Sequence, residues 1–356
     1  MKIAPTTQGV PALNPGPIAT AFTRIGATAQ TRPDSQAIAA TAAAPASASR
    51  AWLYAQLVLV SLFWGGNFIA GRWLAPQMPH FVAATARYLV AVAALLAFLR
   101  QREGRWPRPN SRQWVDIGVL GASGVFAYNA FFFGAMAQIS AGRAALIIGT
   151  TPALVVVGAW LVFKLRFAWW QWLGIAVALV GVAIVVAHGE LSTLAAGAVG
   201  SGDALMFGGA LAMLVYTLVG RSMMRRGGAL SPLAITAYAC AFGLLLLASV
   251  AVFELPQVQW SRLGALDVIA IVYLGLAGTA LSFVWFYEGV NRLGAARASV
   301  FGNLVPVFGV ALAMLVLGEP LFASMVVGGL VVVAGVSLTN LERKSGYGSR
   351  PRVKSP

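Results

Sequence analysis

Ten apolar runs of spanning length follow one another along this chain, near residues 52–71, 81–99, 114–134, 144–163, 169–187, 203–221, 232–252, 266–287, 297–317 and 322–341. Each reaches about 20 residues, enough at ~1.5 Å rise per residue to cross a ~30 Å hydrocarbon core as a helix. One such run alone also suits a helix buried in a soluble core. Ten in succession, joined by short connections, point to a membrane. In lipid the backbone polar groups must be bonded within the segment, which selects helices here. Most runs are rich in Gly and Ala, as in 121-GASGVFAYNAFFFGA-135. Small residues let helices approach closely where lipid supplies no hydrophobic drive. The expected fold is an all-α polytopic membrane protein with ten transmembrane helices.

Composition agrees. The chain is 59% hydrophobic and 10% charged, against about 25% charged residues in an ordinary soluble domain. That excludes a typical cytosolic enzyme. The single cysteine, Cys240, excludes a disulfide framework. Two histidines, His80 and His188, make no metal constellation with it. No Walker loop is present, so ATP hydrolysis by this chain is not expected. No cofactor and no catalytic group is expected.

The net charge of +15 reads as topology. Numbering the runs in order, the connections 2–3, 4–5, 6–7 and 8–9 and both tails carry 21 of the 25 basic residues. The opposite connections carry only Arg72, Arg143 and Arg262, and Arg87 lies inside the second run. Positive residues stay cytoplasmic, so both termini are expected in the cytoplasm. No nucleic-acid motif accompanies the charge. Residues 1–50, rich in Ala, Thr, Pro and Ser, read as a disordered tail, and 342–356 as a basic solvated one.

An internal repeat divides the body. The segment 143-RAALIIGTTPALVVVGAWLVF-163 parallels 297-RASVFGNLVPVFGVALAMLVL-317 at an offset of 154. The offset aligns Pro152 with Pro306, Gly174 with Gly328 and Gly181 with Gly335. The units are 51–190 and 201–341, five helices each. An odd count makes the second copy enter the membrane inverted. Inverted repeats are a transporter architecture, with substrate bound between them. The pair 318-GE-319 on one side faces 164-KL-165 on the other, opposite charge on opposite faces.

These residues resemble a known family. The blocks 64-WGGNF-68, 87-RY-88, 143-RAALIIGTTPALVVVGAWLVF-163 and 293-LGAARASVFGNLVPVFGVALAMLVLGEPL-321, with 328-GGLVVVAGVSL-338, are similar to bacterial drug/metabolite transporters of the branch built from two EamA domains. The resemblance covers about 51–341. It implies a place in a bacterial inner membrane, alternating access and export of small metabolites such as amino acids or related amphipathic compounds. A lipid flippase, a non-catalytic membrane scaffold, and a membrane-embedded enzyme acting on lipid-linked substrates remain alternatives. The expected partners are a small-molecule substrate, protons as a coupling ion and the bilayer, with the chain as monomer or homodimer.

Polar groups at depth are the candidate site. Arg87 is placed to meet an anionic group, or to snorkel to the headgroups. Glu288 is placed to carry a proton, or to pair with Arg292 four residues on. Trp64, Asn67 and Phe68 share one helical face, turned to a cavity or to a neighbouring helix. Tyr128, Asn129, Thr150, Tyr216, Trp285 and Asn303 complete the cavity candidates. Pro152 and Pro306 are candidates for helix bends that help gating. The cavity is expected among helices 1, 3, 4, 6, 8 and 9. Trp52, Trp73, Trp114, Trp169, Trp170, Trp172 and Trp260, near helix ends, read as interfacial anchors.

Overall fold

The computed structural model describes residues 44–164, 167–187, 200–226 and 230–339. The chain divides into two units, Met1–Arg50 and Ala51–Pro356. Of the first, residues 44–50 are described and are helical. The rest of the N-terminal tail, His188 and the C-terminal tail lie outside the described residues.

The second unit is built from helices α1 (Ala51–Leu74), α2 (His80–Glu103), α3 (Ser111–Met136), α4 (Ala141–Phe163), α5 (Trp169–Val186), α6 (Ser201–Arg226), α7 (Pro232–Gln257), α8 (Ala265–Leu293), α9 (Arg297–Leu317) and α10 (Ala323–Thr339). Among the described residues there is no strand. The first nine helices are 18 to 29 residues long and apolar enough to cross a bilayer, and α10 is a shorter apolar helix. Outward positions are large and apolar, with Phe253 78% and Leu315 74% exposed. On a water-soluble protein such a belt would be a liability; in a membrane it is the lipid face. The chain is a multi-pass membrane protein.

The helix pair α5–α10 displays the inversion. An added Cβ at Gly174 would meet Thr339 and the Gly335 carbonyl, and one at Gly181 would meet Val332 and the Gly328 carbonyl. Residue numbers rise on α5 as they fall on α10, so the two helices run antiparallel. The four glycines are the ones that the 154-residue offset equates, and each faces its partner's counterpart. At Gly335 the added Cβ would stand 2.3 Å from the Ala178 backbone nitrogen, so no other residue type allows this approach. The same exchange recurs at α4–α9, where Gly149 lies against Pro306 and Gly309 against Ala145. It recurs again between α3–α7 and α8–α2: Gly121 abuts the Ala239 carbonyl, and Gly275 abuts the Arg87 carbonyl.

The breaks in the helices also come in pairs. Helix α3 carries a π-helical stretch, Gly121–Ala127, and α8 carries one at Leu276–Leu281. The α-helix of α4 is interrupted between Ile148 and Thr151, and that of α9 at Asn303. Pro152 and Pro306 sit just beyond the two interruptions. Each removes a backbone donor where the helix restarts, a position at which proline is tolerated.

Both α4 and α9 end in the left-handed region, at Lys164 (φ 53°) and Gly318 (φ 65°), again 154 residues apart. Glycine adopts that conformation freely and lysine does not. Replacing Lys164 by Gly is therefore expected to raise stability by about 0.5–1 kcal/mol, and Gly318→Ala to lower it by a similar amount. Denaturant midpoints of the purified protein in micelles measure both.

Candidate functional site

A cavity of about 490 Å³ lies within the unit, lined by residues of α1, α2, α3, α4, α6, α7, α8 and α9. Helices α5 and α10 are spent on their mutual seam and contribute nothing to it. The volume suits a small organic molecule. The connections α2–α3, α4–α5, α6–α7 and α8–α9 lie on one face of the bundle, the basic face. The lining reaches that face at Arg221, Met224 and Pro232. At its other end it reaches Arg87, seven residues into α2, which is about 10 Å below the opposite face at helical rise.

That opposite face is held shut by carboxylates. The Glu254 carboxylate accepts from the Phe81 and Val82 backbone N–H groups at 2.8 and 3.3 Å. Glu319 accepts from those of Ala141 and Gly142 at 2.9 and 3.2 Å. Each carboxylate therefore caps a helix N-terminus, where orphan donors and the helix dipole favour negative charge. Asp203 receives the Arg143 guanidinium through Nε and Nη2, both at 2.6 Å. Asp267 accepts from Trp73 Nε1 at 2.9 Å. All four acids belong to the second repeat and all their partners here to the first. Glu319 follows the glycine at 318, so the Gly-Glu pair has a structural task on this face alone.

Ties between the halves are also present among the described residues of the basic face. Arg226 pairs with Asp116, Ser231 bonds Glu103, and Tyr238 donates to the Pro107 carbonyl at 2.8 Å. These join the ends of α6 and α7 to the α2–α3 connection.

The structure brings Trp64, Asn67, Phe68, Arg87, Tyr128, Tyr216, Pro152 and Pro306 onto one lining. Trp64 packs against Phe286 and Phe283, ring centroids 5.4 and 6.3 Å apart. Tyr128 stacks on Phe132, which also meets Phe68. Asn67 donates from Nδ2 to the Gly278 carbonyl at 3.3 Å. Arg87 is 3% exposed and donates to the Asn129 Oδ1 at 3.3 Å and the Thr279 Oγ1 at 2.9 Å. Its guanidinium also lies 5.3 Å from the Tyr88 ring centre. It does not snorkel.

Other candidates lie elsewhere. Asn129 is fully buried behind Arg87 and donates to the Val125 carbonyl at 2.6 Å. Thr150 bonds the Ile147 carbonyl at 2.7 Å inside the break, while its neighbour Thr151 lines the cavity. Trp285 packs on Trp52 and Phe63, away from the cavity. Glu288 is outside the lining and pairs with Arg292 at 2.7 Å. The i, i+4 spacing places that pair on the helix surface and favours the ion-pair reading over a proton carrier in the cavity. Asn303 sits in the break of α9 with Nδ2 3.5 Å from Ser337 Oγ. Of the anchors, Trp73 is tied to Asp267, while Trp169 and Trp260 are 72% and 63% exposed.

The sequence reading missed Tyr88, Cys240, Thr279, Phe283 and Tyr287, which also line the cavity. Helices α2 and α7 were not expected to contribute beyond Arg87. Thr279 was legible in principle. It is a polar residue in the run 275-GLAGTA-280, which the repeat equates with the small-residue run opening at Gly121.

A bundle of two opposed five-helix halves around a cavity that meets one face defines a polytopic membrane carrier. The chain belongs to the EamA-like transporter family, whose model matches residues 51–187 and 200–341. It is 29% identical over 284 residues to "Uncharacterized transporter YyaM" of Bacillus subtilis, covering 80% of this chain and 92% of that one. It is 28% identical over 238 residues to a "Probable terminal-alkyne amino-acid exporter" of Streptantibioticus cattleyicolor, covering 65% and 75%. A solved structure titled only "Crystal structure of protein" shares the fold, with TM-score 0.56 and 18% identity over 81% of this chain and 96% of that one. Family and relatives indicate a transporter rather than an enzyme.

Gly278 is the tightest point of the site. A Cβ there would stand 1.9 Å from Asn67 Oδ1. Gly278→Ala is expected to be clearly destabilising in the wild type and less so in an Asn67→Ala background. The coupling expected for such neighbours is about 1 kcal/mol or more. A double-mutant cycle on unfolding midpoints measures it.

Proposed function

We propose that this chain is a secondary transporter that exports small amphipathic metabolites, amino acids and related compounds among them, by alternating access. One observation carries the reading: the cavity between the inverted halves opens at the basic face, while carboxylates of one half tie the other half shut at the opposite face. The halves, 51–190 and 201–341, are the moving units. A loaded cavity is released when the four acids let go of α1, α2 and α4 and an equivalent closure forms on the basic face. The distribution of Lys and Arg supports placing the basic face and both termini in the cytoplasm of a bacterial inner membrane. The open mouth then faces the compartment from which an exporter loads. A relative carrying an amino-acid exporter's name supports the substrate range.

Proton coupling through Glu288 is not part of this reading, because the side chain is engaged with Arg292 outside the cavity. The driving force is the substrate gradient or a coupled ion held elsewhere.

The test is flux. Proteoliposomes loaded with a labelled mixture of amino acids and small amphipathic metabolites are expected to lose at least one compound faster than protein-free liposomes. An imposed pH gradient shows whether the loss is coupled. Retention of every compound across a broad panel would falsify the proposal.

A further inference from the structure

A string of side-chain hydrogen bonds runs from a backbone carbonyl of α8 to one of α3. The Thr279 hydroxyl donates to the Leu274 carbonyl at 2.8 Å and accepts from Arg87 Nη2 at 2.9 Å. Arg87 Nη1 donates to Asn129 Oδ1 at 3.3 Å, and Asn129 Nδ2 donates to the Val125 carbonyl at 2.6 Å. The direction of each bond is fixed. A guanidinium only donates, so the hydroxyl keeps its one hydrogen for Leu274. A carbonyl only accepts, so the amide turns its oxygen to Arg87. Arg87 is 3% exposed, so little water competes for these bonds.

The string ends at irregular backbone on both sides. Val125 and Thr279 lie inside the π-helical stretches Gly121–Ala127 and Leu276–Leu281, and Leu274 lies two residues before the second. The 154-residue offset carries 121–127 onto 275–281 and Val125 onto Thr279. Both stretches lie where the halves touch. A Cβ at Gly121 would stand 2.6 Å from the Ala239 carbonyl, and one at Gly275 would stand 2.5 Å from the carbonyl of Arg87 itself. A π-helical turn holds one residue more than an α-helical turn, and helices bend at such places.

The string occurs once. The offset equates Arg87 with Ala241, Thr279 with Val125 and Asn129 with Phe283, so the repeat holds no second copy of it. Arg87, Asn129 and Val125 belong to the first half, Thr279 and Leu274 to the second. The Arg87–Thr279 bond is therefore where the string crosses between halves. It crosses beside the close approach of α2 to α8, where rocking displaces the backbones least. The carboxylates at the rim must let go for their face to open, and this link need not.

We infer that the two π-helical stretches are joints of the opposed motion, and that Arg87 is a positioning residue that couples them so that they yield together. The inference rests on the alternating-access reading above and adds what keeps the two halves in step.

Hydrogen–deuterium exchange of the full chain in nanodiscs tests it and needs no cargo. Thr279→Val removes the hydroxyl and leaves Arg87 and Asn129 in place. It is expected to speed exchange over 274–281 by at least about tenfold. Over 121–130, on another helix, it is expected to speed exchange by at least about threefold. Thr279→Ser keeps the hydroxyl and should exchange as the wild type does. Arg87→Met and Asn129→Leu each cut the string, and in either background Thr279→Val should add nothing over 121–130. A purely local packing role moves α8 alone. Wild-type protection across α5 and α10 marks each variant as folded, and if neither cut variant folds, the Val and Ser variants decide. Wild-type exchange over 121–130 in Thr279→Val, a Thr279→Ser that behaves as Thr279→Val does, or an effect on α3 that survives the cuts overturns the inference. Export without this coupling removes the inference alone, and coupling without any export removes the transport reading alone.

Discussion

The antiparallel contact of α5 with α10 is the constraint from which the rest of the architecture follows. Two helices related by inversion meet backbone to backbone at Gly174, Gly181, Gly328 and Gly335. At these points the backbones approach closely, flanked by the packed side chains of Ile175, Val332 and Val336 and by the hydrogen bond from Gln171 Nε2 to the Thr339 carbonyl at 3.2 Å. Because this seam is saturated, neither helix is available to the cavity. The remaining eight helices surround it in equivalent pairs. The paired π-helical stretches of α3 and α8 and the paired breaks of α4 and α9 then sit beside the cavity from both halves. Such irregular backbone is tolerated at membrane depth where protein or a cavity covers it.

The halves share a backbone plan and differ in their charges. Position 87 is arginine, and its repeat partner at 241 is alanine. Position 319 is glutamate and its partner at 165 is leucine. The acids at 203, 254, 267 and 319 all lie in the second repeat and close one face. A symmetric molecule would close both faces equally well. These substitutions bias it toward one state, and they single out one place in the cavity for charge.

Much of the plan was legible in the sequence. Hydropathy gives the helices because each must be apolar for about 20 residues. The repeat offset gives the inversion because five is odd. The glycines at 174, 181, 328 and 335 stood out because the offset equates them, although the offset alone does not say that they touch. The π-helical stretches were hidden, since one extra residue per turn leaves composition unchanged and only shifts the phase of faces downstream. Phe283, Phe286 and Tyr287 follow Thr279 at i+4, i+7 and i+8 and share its cavity face, while Trp285 falls off that face. Arg87 was conspicuous as a charge in an apolar run, but its partners at 129 and 279 are 42 and 192 residues away and leave no local signal. The role of Glu319 as a helix cap was likewise invisible, because its receptor is the backbone of another repeat.

The central claim is that the two halves move against each other about the α5–α10 seam and open the face that the carboxylates close. Gln77 and Gln257 are exposed on that face, one on each half. Spin labels at these two positions, in a Cys240→Ala background reconstituted in liposomes, report the distance between the halves. The account predicts two distance populations whose ratio shifts when an exported compound is added. A single distance, unchanged under conditions in which flux is measured, would contradict it.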